Sequence, residues 1–276
     1  MRYGSSPSKL NPTASVGGAA EARASGPGGM ASATDRTTAI QPICRRSEPY
    51  MCKFCTAREV GPCSWLEHDE KRDLLTSGSR RRLAARETLF LTGDQSHSVY
   101  VVSTGMLKIY RSMPDGRSQI VGLALPGDLL GSLLHDRHLL SAEAIGRAEV
   151  CEMSRAALQK LLDRREGLRD RFVGLVYDSL AAAYDHMLLL GRMNATERLG
   201  SLLLRLAERA EIMGGSTTPL YLTMRRRDMA DFLGLSLETV SRSFGQLANN
   251  GIIRLAGPSK VFIRDRSRLK QIAHTD

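Results

Sequence analysis

The sequence predicts an α+β chain: a small antiparallel β domain, one long helix, then a helix-turn-helix with a β wing. Three observations carry that expectation. Short β-branched runs broken by Gly and Pro fill the stretch up to Ser154. From Val173 to Leu190, apolar residues recur by alternating threes and fours. Near the C-terminus, two amphipathic helical patterns flank a Gly-Leu-Ser turn.

Residues 1–41 are rich in Gly, Ala, Ser, Thr and Pro and nearly lack large apolar groups. Such a segment buries too little surface to offset its ordering entropy, so a disordered extension is expected, with Met30 as an alternative start. A cysteine-rich loop occupies residues 42–65, and a short helical stretch lies near Leu66–Ser77. A β domain is expected over residues 66–164. Its strands are "RETLFLTGD", "SVYVVSTG", "MLKIYRS", "SQIVGLAL" and "SAEAIGRAEVCEMS". "MPDG" at Met113–Gly116 supplies a turn, and "LPGDLLG" at Leu125–Gly131 reads as a break.

Residues 165–193 read as the long helix. Val173, Val176, Leu180, Ala183, Met187 and Leu190 form a stripe suited to packing along a second copy. Residues 194–276 form the last domain. Asn194 and Thr196 open "TERLGSLLLRLAERA", and "GGST" closes it.

A first helix is expected over Arg225–Leu233, with Met229, Phe232 and Leu233 inward. Gly234-Leu235-Ser236 makes the turn, and Ser236 is a good N-cap because its hydroxyl oxygen accepts from exposed N–H groups. Val240, Phe244 and Leu247 face inward on the second helix, which Gly251 ends. Glu238, Ser241, Arg242 and Gly245 lie on the opposite side. Their chemistry fits base reading: Arg242 can donate twice to guanine, Glu238 can accept from a cytosine amino group, and Ser241 can meet a neighbouring edge. The alternative is a solvated face on which Glu238 and Arg242 pair with each other. A hairpin wing follows, turning at Gly257-Pro258. Ser216–Asp276 holds ten Lys/Arg against five Asp/Glu. Arg225, Arg226, Arg227 and Lys260 are the candidate phosphate contacts, which position a reader without giving it specificity.

The chain's net charge of +10 favours an anionic partner. No apolar run nears the roughly 20 residues that span a bilayer, and the first forty residues lack a signal-peptide core. A soluble cytoplasmic protein is expected. No Gly-rich nucleotide loop or catalytic constellation stands out, so an enzyme or electron carrier is disfavoured.

Five cysteines in irregular spacing do not suggest a disulfide framework. Cys52 and Cys55 form a C-x2-C pair, and Cys63 follows Gly61-Pro62. Cys151 is the candidate for a fourth thiolate. Such soft ligands suit zinc or an iron–sulfur cluster, and idle thiols are the remaining alternative. Three clustered ligands with one remote look more like a cluster site than a zinc ribbon. His135 and His138 have no converging partners by sequence.

From about Cys44 onward the chain resembles the FNR-type (fumarate and nitrate reduction) regulators of the CRP/FNR, or cyclic-AMP-receptor, superfamily. The resemblance rests on the cysteine group, "PGDLLG", "AEVCEMS", "LLLGRMNATERL" and "LTMRRRDMADFLGLSLETVSR", in that order. It implies a β-roll sensor domain of double-stranded β-helix, jelly-roll-like form, a dimerisation helix and a winged helix-turn-helix. It implies a homodimer on an inverted repeat of TTGAT-like half-sites, with RNA polymerase as a further partner. An oxygen-labile [4Fe–4S] cluster would have Cys52, Cys55, Cys63 and Cys151 as ligands and Cys44 as a non-ligand. The family's "ExxSR" readers fall on Glu238, Ser241 and Arg242. Two departures stand out. Seven residues separate Cys55 from Cys63. Ala183 stands where some members place a seam carboxylate, though Asp178 and Asp185 flank it. Members that bind cyclic AMP carry Gly-Glu and, later in the same region, Arg-Ser to grip the phosphate; here Asp128 follows Gly127 and no Arg-Ser pair stands where the phosphate would sit, so no cyclic nucleotide is expected.

Overall fold

A computed structural model describes residues 52, 55–76, 80–215 and 219–274. The expected disordered extension, Met30 and Cys44 lie outside them. Eleven strands and seven α-helices order these residues.

Two four-stranded antiparallel sheets form the β domain. One runs β1 (Arg80–Leu83), β8 (Ala148–Ser154), β3 (Ser98–Thr104), β6 (Leu129–Leu130). The other runs β2 (Thr88–Phe90), β7 (Ser141–Ala144), β4 (Leu107–Ser112), β5 (Ser118–Ala124). Alternate residues of both sheets meet in one core that includes Tyr100, Val102, Leu107, Ala142, Ala144 and Val150. The opposite side of β3 offers Val99 and Val101, which pack with Met153 against helices. Those helices are α1 (His68–Thr76), α2 (Arg155–Arg164) and α3 (Glu166–Arg192). Burial on both faces explains why β3 reads as an almost continuous apolar run.

α2 and α3 are separated at Arg165, which is extended at φ −124° and ψ 92°. Beyond α3, Asn194 caps α4 (Ala195–Ile212), its side-chain oxygen accepting from the N–H groups of Thr196 and Glu197. The helix-turn-helix comprises α5 (Arg226–Leu233) and α6 (Leu237–Asn249). A three-stranded wing sheet runs β10 (Ile253–Leu255), β11 (Lys260–Ile263), β9 (Leu220–Tyr221), and α7 (Arg266–Ile272) closes the domain. The core of this domain continues onto Ile120, Leu123 and Leu125 of the β domain. No helix among the described residues is long and apolar enough to cross a membrane.

Candidate cysteine centre and nucleic-acid interface

Two short 3-10 helices, Thr56–Glu59 and Gly61–Trp65, shape the cysteine loop. Cys55 N–H donates to Cys52 O at 3.2 Å, and Arg58 N–H to Cys55 O at 3.0 Å, so the C-x2-C pair lies in tight turns. Pro62 is the second residue of the second 3-10 helix, where its fixed φ suits a first turn. Cys151 stands on β8, in register with Arg80 and Val101 on its two neighbours. The fold brings all four together: Cys52, Cys55, Cys63 and Cys151 line one cavity of about 30 Å³. Leu66, Leu74, Val101 and Met153 give it an apolar wall, to which Arg58 and Lys71 also contribute.

Burial pushes the Cys63 and Cys151 thiols up to about 12, and the neighbouring cysteines push the same way. Lys71 opposes this at Cys63, and Arg80 at Cys151. Four sulfurs that repel one another as thiolates need a cationic group among them before all can deprotonate. They share a cavity, yet among the described residues no three His, Cys, Asp or Glu side chains form a ready site for a metal ion.

The cysteine loop rests on the "PGDLLG" segment through bare backbone. Gly61 and Gly127 both have positive φ, +61° and +93°. A Cβ on Gly61 would lie 2.0 Å from Gly127 O, and one on Gly127 would lie 2.5 Å from Val60 Cγ2. Next to Gly127, the Asp128 carboxylate accepts from Leu125 N–H at 2.8 Å and from Arg209 Nη2 at 2.5 Å. Arg209, on α4, also donates to Pro126 O at 2.6 Å. Burial raises the Asp128 pKa despite the opposing pull of the Leu125 N–H and Arg209. Spacing gave no sign of this contact, although the Gly-Pro and Pro-Gly pairs mark both of its halves. His138 stacks on Phe90 at 3.7 Å and is 4% exposed, so it packs in the core while His135 stays in solvent.

The helix-turn-helix is closed by local bonds. Met229, Phe232 and Leu233 are buried, Gly234 adopts φ +61°, and Ser236 Oγ accepts from Thr239 N–H at 3.2 Å. At the far end of α6, Gly251 N–H donates to Ala248 O at 2.9 Å and Ile252 N–H to Leu247 O at 3.0 Å. Those two bonds make a Schellman cap, which needs the left-handed Gly251 at φ +72°. Val240, Phe244 and Leu247 face the core, while Glu238, Ser241 and Arg242 are exposed together. Arg242 Nη2 donates to Thr239 Oγ1 at 3.2 Å. The Glu238 carboxyl is held low by its own backbone N–H and by Ser236, with help from Arg242.

The four expected phosphate contacts differ in their surroundings. Arg227 is exposed, and Lys260 is exposed with its Nζ 5.4 Å from the Tyr221 ring centre. Arg225 Nε donates to buried Asp228 at 3.3 Å. Arg226 departs from the expectation: its guanidinium lies 3.3 Å over the Phe244 ring, and burial lowers its pKa. An aromatic face holds a guanidinium well, so Arg226 braces α6 from behind.

On α3, Val173, Val176, Leu180 and Met187 are 44–64% exposed, and Ala183 is exposed with them. Tyr177 and Tyr184 broaden the same apolar face. Leu190 leaves the stripe. It is partly buried against the core of the DNA-binding domain, close to the Gly234 turn, because the last turn of α3 already packs on α5.

A two-sheet β-roll, a long helix with an open apolar face and a winged helix-turn-helix with polar residues on the outer side of α6 define a DNA-binding transcription regulator. Residues 80–165 match the cyclic nucleotide-binding domain, and residues 197–272 match the Crp-like helix-turn-helix domain. The chain is 38% identical over 224 residues to the nitrogen fixation regulation protein FixK of Bradyrhizobium diazoefficiens, a match spanning 81% of this chain and 94% of that one. It is 32% identical to an anaerobic regulatory protein of Haemophilus influenzae, over 82% of this chain and 88% of that one. Among solved structures, FixK2 from Bradyrhizobium japonicum superposes with a TM-score of 0.67 at 34% identity, covering 71% of this chain and 96% of that one. The chain belongs to the CRP/FNR family of transcription regulators, and these relatives are regulators, not enzymes.

Proposed function

We propose that this regulator responds to oxygen or redox state through a [4Fe–4S] cluster held by Cys52, Cys55, Cys63 and Cys151, and that this governs pairing along α3 and binding to an inverted repeat of TTGAT-like half-sites. The observation that carries the reading is the convergence of four thiols, three from one loop and one from β8, on one cavity. The donor set fits the group: thiolates are soft ligands for iron and sulfide. Burial and mutual repulsion keep Cys63 and Cys151 protonated unless a cationic group joins them. A relative named as an anaerobic regulatory protein supports control by low oxygen.

Bound there, the cluster would supply an oxygen-labile tie between the loop and the β-roll. The chain's own residues turn that tie into geometry. With the loop drawn onto β8, Val60 and Gly61 press against Gly127, and Asp128 beside it holds Arg209 of the DNA-binding domain. Loss of the tie frees the loop from that seat. Two copies paired along Val173–Met187 would set their α6 helices in successive major grooves, about 34 Å apart. Arg242 donates to guanine, Glu238 accepts from a cytosine amino group, and Ser241 meets the edge between them. No cyclic nucleotide is part of this reading, because no Arg-Ser pair stands where its phosphate would sit. The protein acts in the cytoplasm, and RNA polymerase is its partner at activated promoters.

Anaerobic purification tests this reading. The expected product is brown, contains iron and acid-labile sulfide, and bleaches in air; Cys151→Ser is expected to be colourless. Zinc without sulfide would make the centre an oxygen-independent staple. Protein with neither metal nor sulfide, binding its operator equally well in air, would sink the proposal.

A further inference from the structure

The C-terminal end of α5 is where the β domain, the long helix and the reading head meet. The last carbonyls of a helix have no partner within it. Here three in succession are engaged by side chains from three different elements. Gln119 Nε2 of β5 donates to Asp231 O at 2.7 Å, His186 Nε2 of α3 lies 2.9 Å from Phe232 O, and Arg198 Nη1 of α4 donates to Leu233 O at 2.9 Å. Gly234 follows at once and opens the turn into α6.

His186 is 8% exposed, and its ring lies 4.3 Å from that of Phe232. Its other nitrogen, Nδ1, lies 3.2 Å from Val121 O on β5. Both ring nitrogens therefore face carbonyl oxygens, which only accept. A neutral imidazole has one N–H and one lone pair. It can satisfy one carbonyl and must aim its lone pair at the other. Only the imidazolium donates to both, and the negative end of the α5 dipole favours a cation at the same place.

We propose that His186, as its imidazolium, is a positioning residue for DNA reading: it pins β5, α3 and α5 into one joint, so that operator affinity rises when the ring gains its second proton. This does not depend on the cysteine centre. The titratable and charged groups on the surrounding elements leave the ring to its two carbonyls. On α3, Tyr184 and Asp185 are exposed neighbours. On α5, Asp228 is engaged by Arg225, Asp231 is exposed, and Arg226 and Arg227 lie at the opposite end. On α4, Arg198 serves the carbonyls of Met193, Leu190 and Leu233. β5 carries no charged residue. The contact to both carbonyls is complete only when both ring nitrogens carry a proton, and a neutral ring keeps one of the two.

The test compares full-length wild type with His186→Gln in anaerobic buffer, on a duplex selected from random sequence by the wild-type protein. Wild type is expected to bind about threefold or more tighter near pH 6 than near pH 8, with His186→Gln losing that difference. An equal loss of affinity at both pH values would make the ring a purely structural part and overturn the proposal. So would a variant that keeps the wild-type pH dependence. If His186→Gln does not fold, nitrogen NMR of labelled imidazoles in the wild-type DNA complex decides the matter. Two N–H protons on His186 near pH 6 support the joint, and a single-proton tautomer there overturns it.

Discussion

The reading head and the cysteine centre are built in opposite ways. In the head, both ends of α6 bond to chain a few residues away: Ser236 accepts from Thr239, Gly251 closes on Ala248, and Ile252 closes on Leu247. In the cysteine centre, the loop carrying Cys52, Cys55 and Cys63 meets Cys151 only because β8 lies beside β3 and Gly61 can touch Gly127. The reading helix is thus specified by short-range chemistry, the centre by the folded β-roll beneath it. Damage to one should leave the local folding of the other intact, even though Asp128 and Arg209 link the two regions, and that can be tested from both sides.

The largest effect is expected from Phe244→Ala. It empties the core of the head and removes the platform under Arg226, costing about 3–5 kcal/mol. Thermal melting should show the loss while Cys63 and Cys151 stay as slow to alkylate as before; faster alkylation would mean the two regions are coupled. Gly61→Ala attacks the other side. The left-handed backbone alone costs about 1–3 kcal/mol, and the overlap with Gly127 O adds to it. Alkylation of Cys63 and Cys151 should accelerate with the head's melting unchanged, and an unchanged alkylation rate would show that the loop does not need its seat. Ser236→Ala should cost about 1 kcal/mol, confined to the head, as read by hydrogen exchange along α6.

A further effect is one of pH. Folding raises the Cys63 and Cys151 values from 9.0 to about 12, so the metal-free loop is stable below the ordinary thiol range and loses stability as pH climbs from 9.0 through about 12. Alkaline unfolding should begin at the loop while α6 stays protected. A loop that tightens with rising pH would contradict the burial of these thiols.

Much of the head was legible because its signals are local: a Gly turn, a Ser cap and a 3.6-residue apolar stripe. Other parts depend on what lies across from them. β1 is "RRRL", a composition that argues against a strand until Arg80 and Arg82 are seen to pair with Glu149 on β8. β6 is two residues inside a segment that reads as a turn, ordered by pairing with Tyr100 and Val101. Periodicity marked Leu190 and charge marked Arg226, but neither could show the Gly234 turn packed on one or the Phe244 ring beneath the other. Spacing grouped three cysteines, and only the register of β8 accounts for the fourth. His186 gave no signal at all, since its partners are backbone oxygens from two other elements.

The divergence between Met187 and Leu190 has a consequence for architecture. Met187 is open to solvent while Leu190, one turn later, is partly buried within its own chain. A second copy seated on the stripe must therefore part company with the first just beyond Met187. From that fork onward each reading head is carried by its own protomer, and the stride between the two is governed by how each head is bolted to its helix.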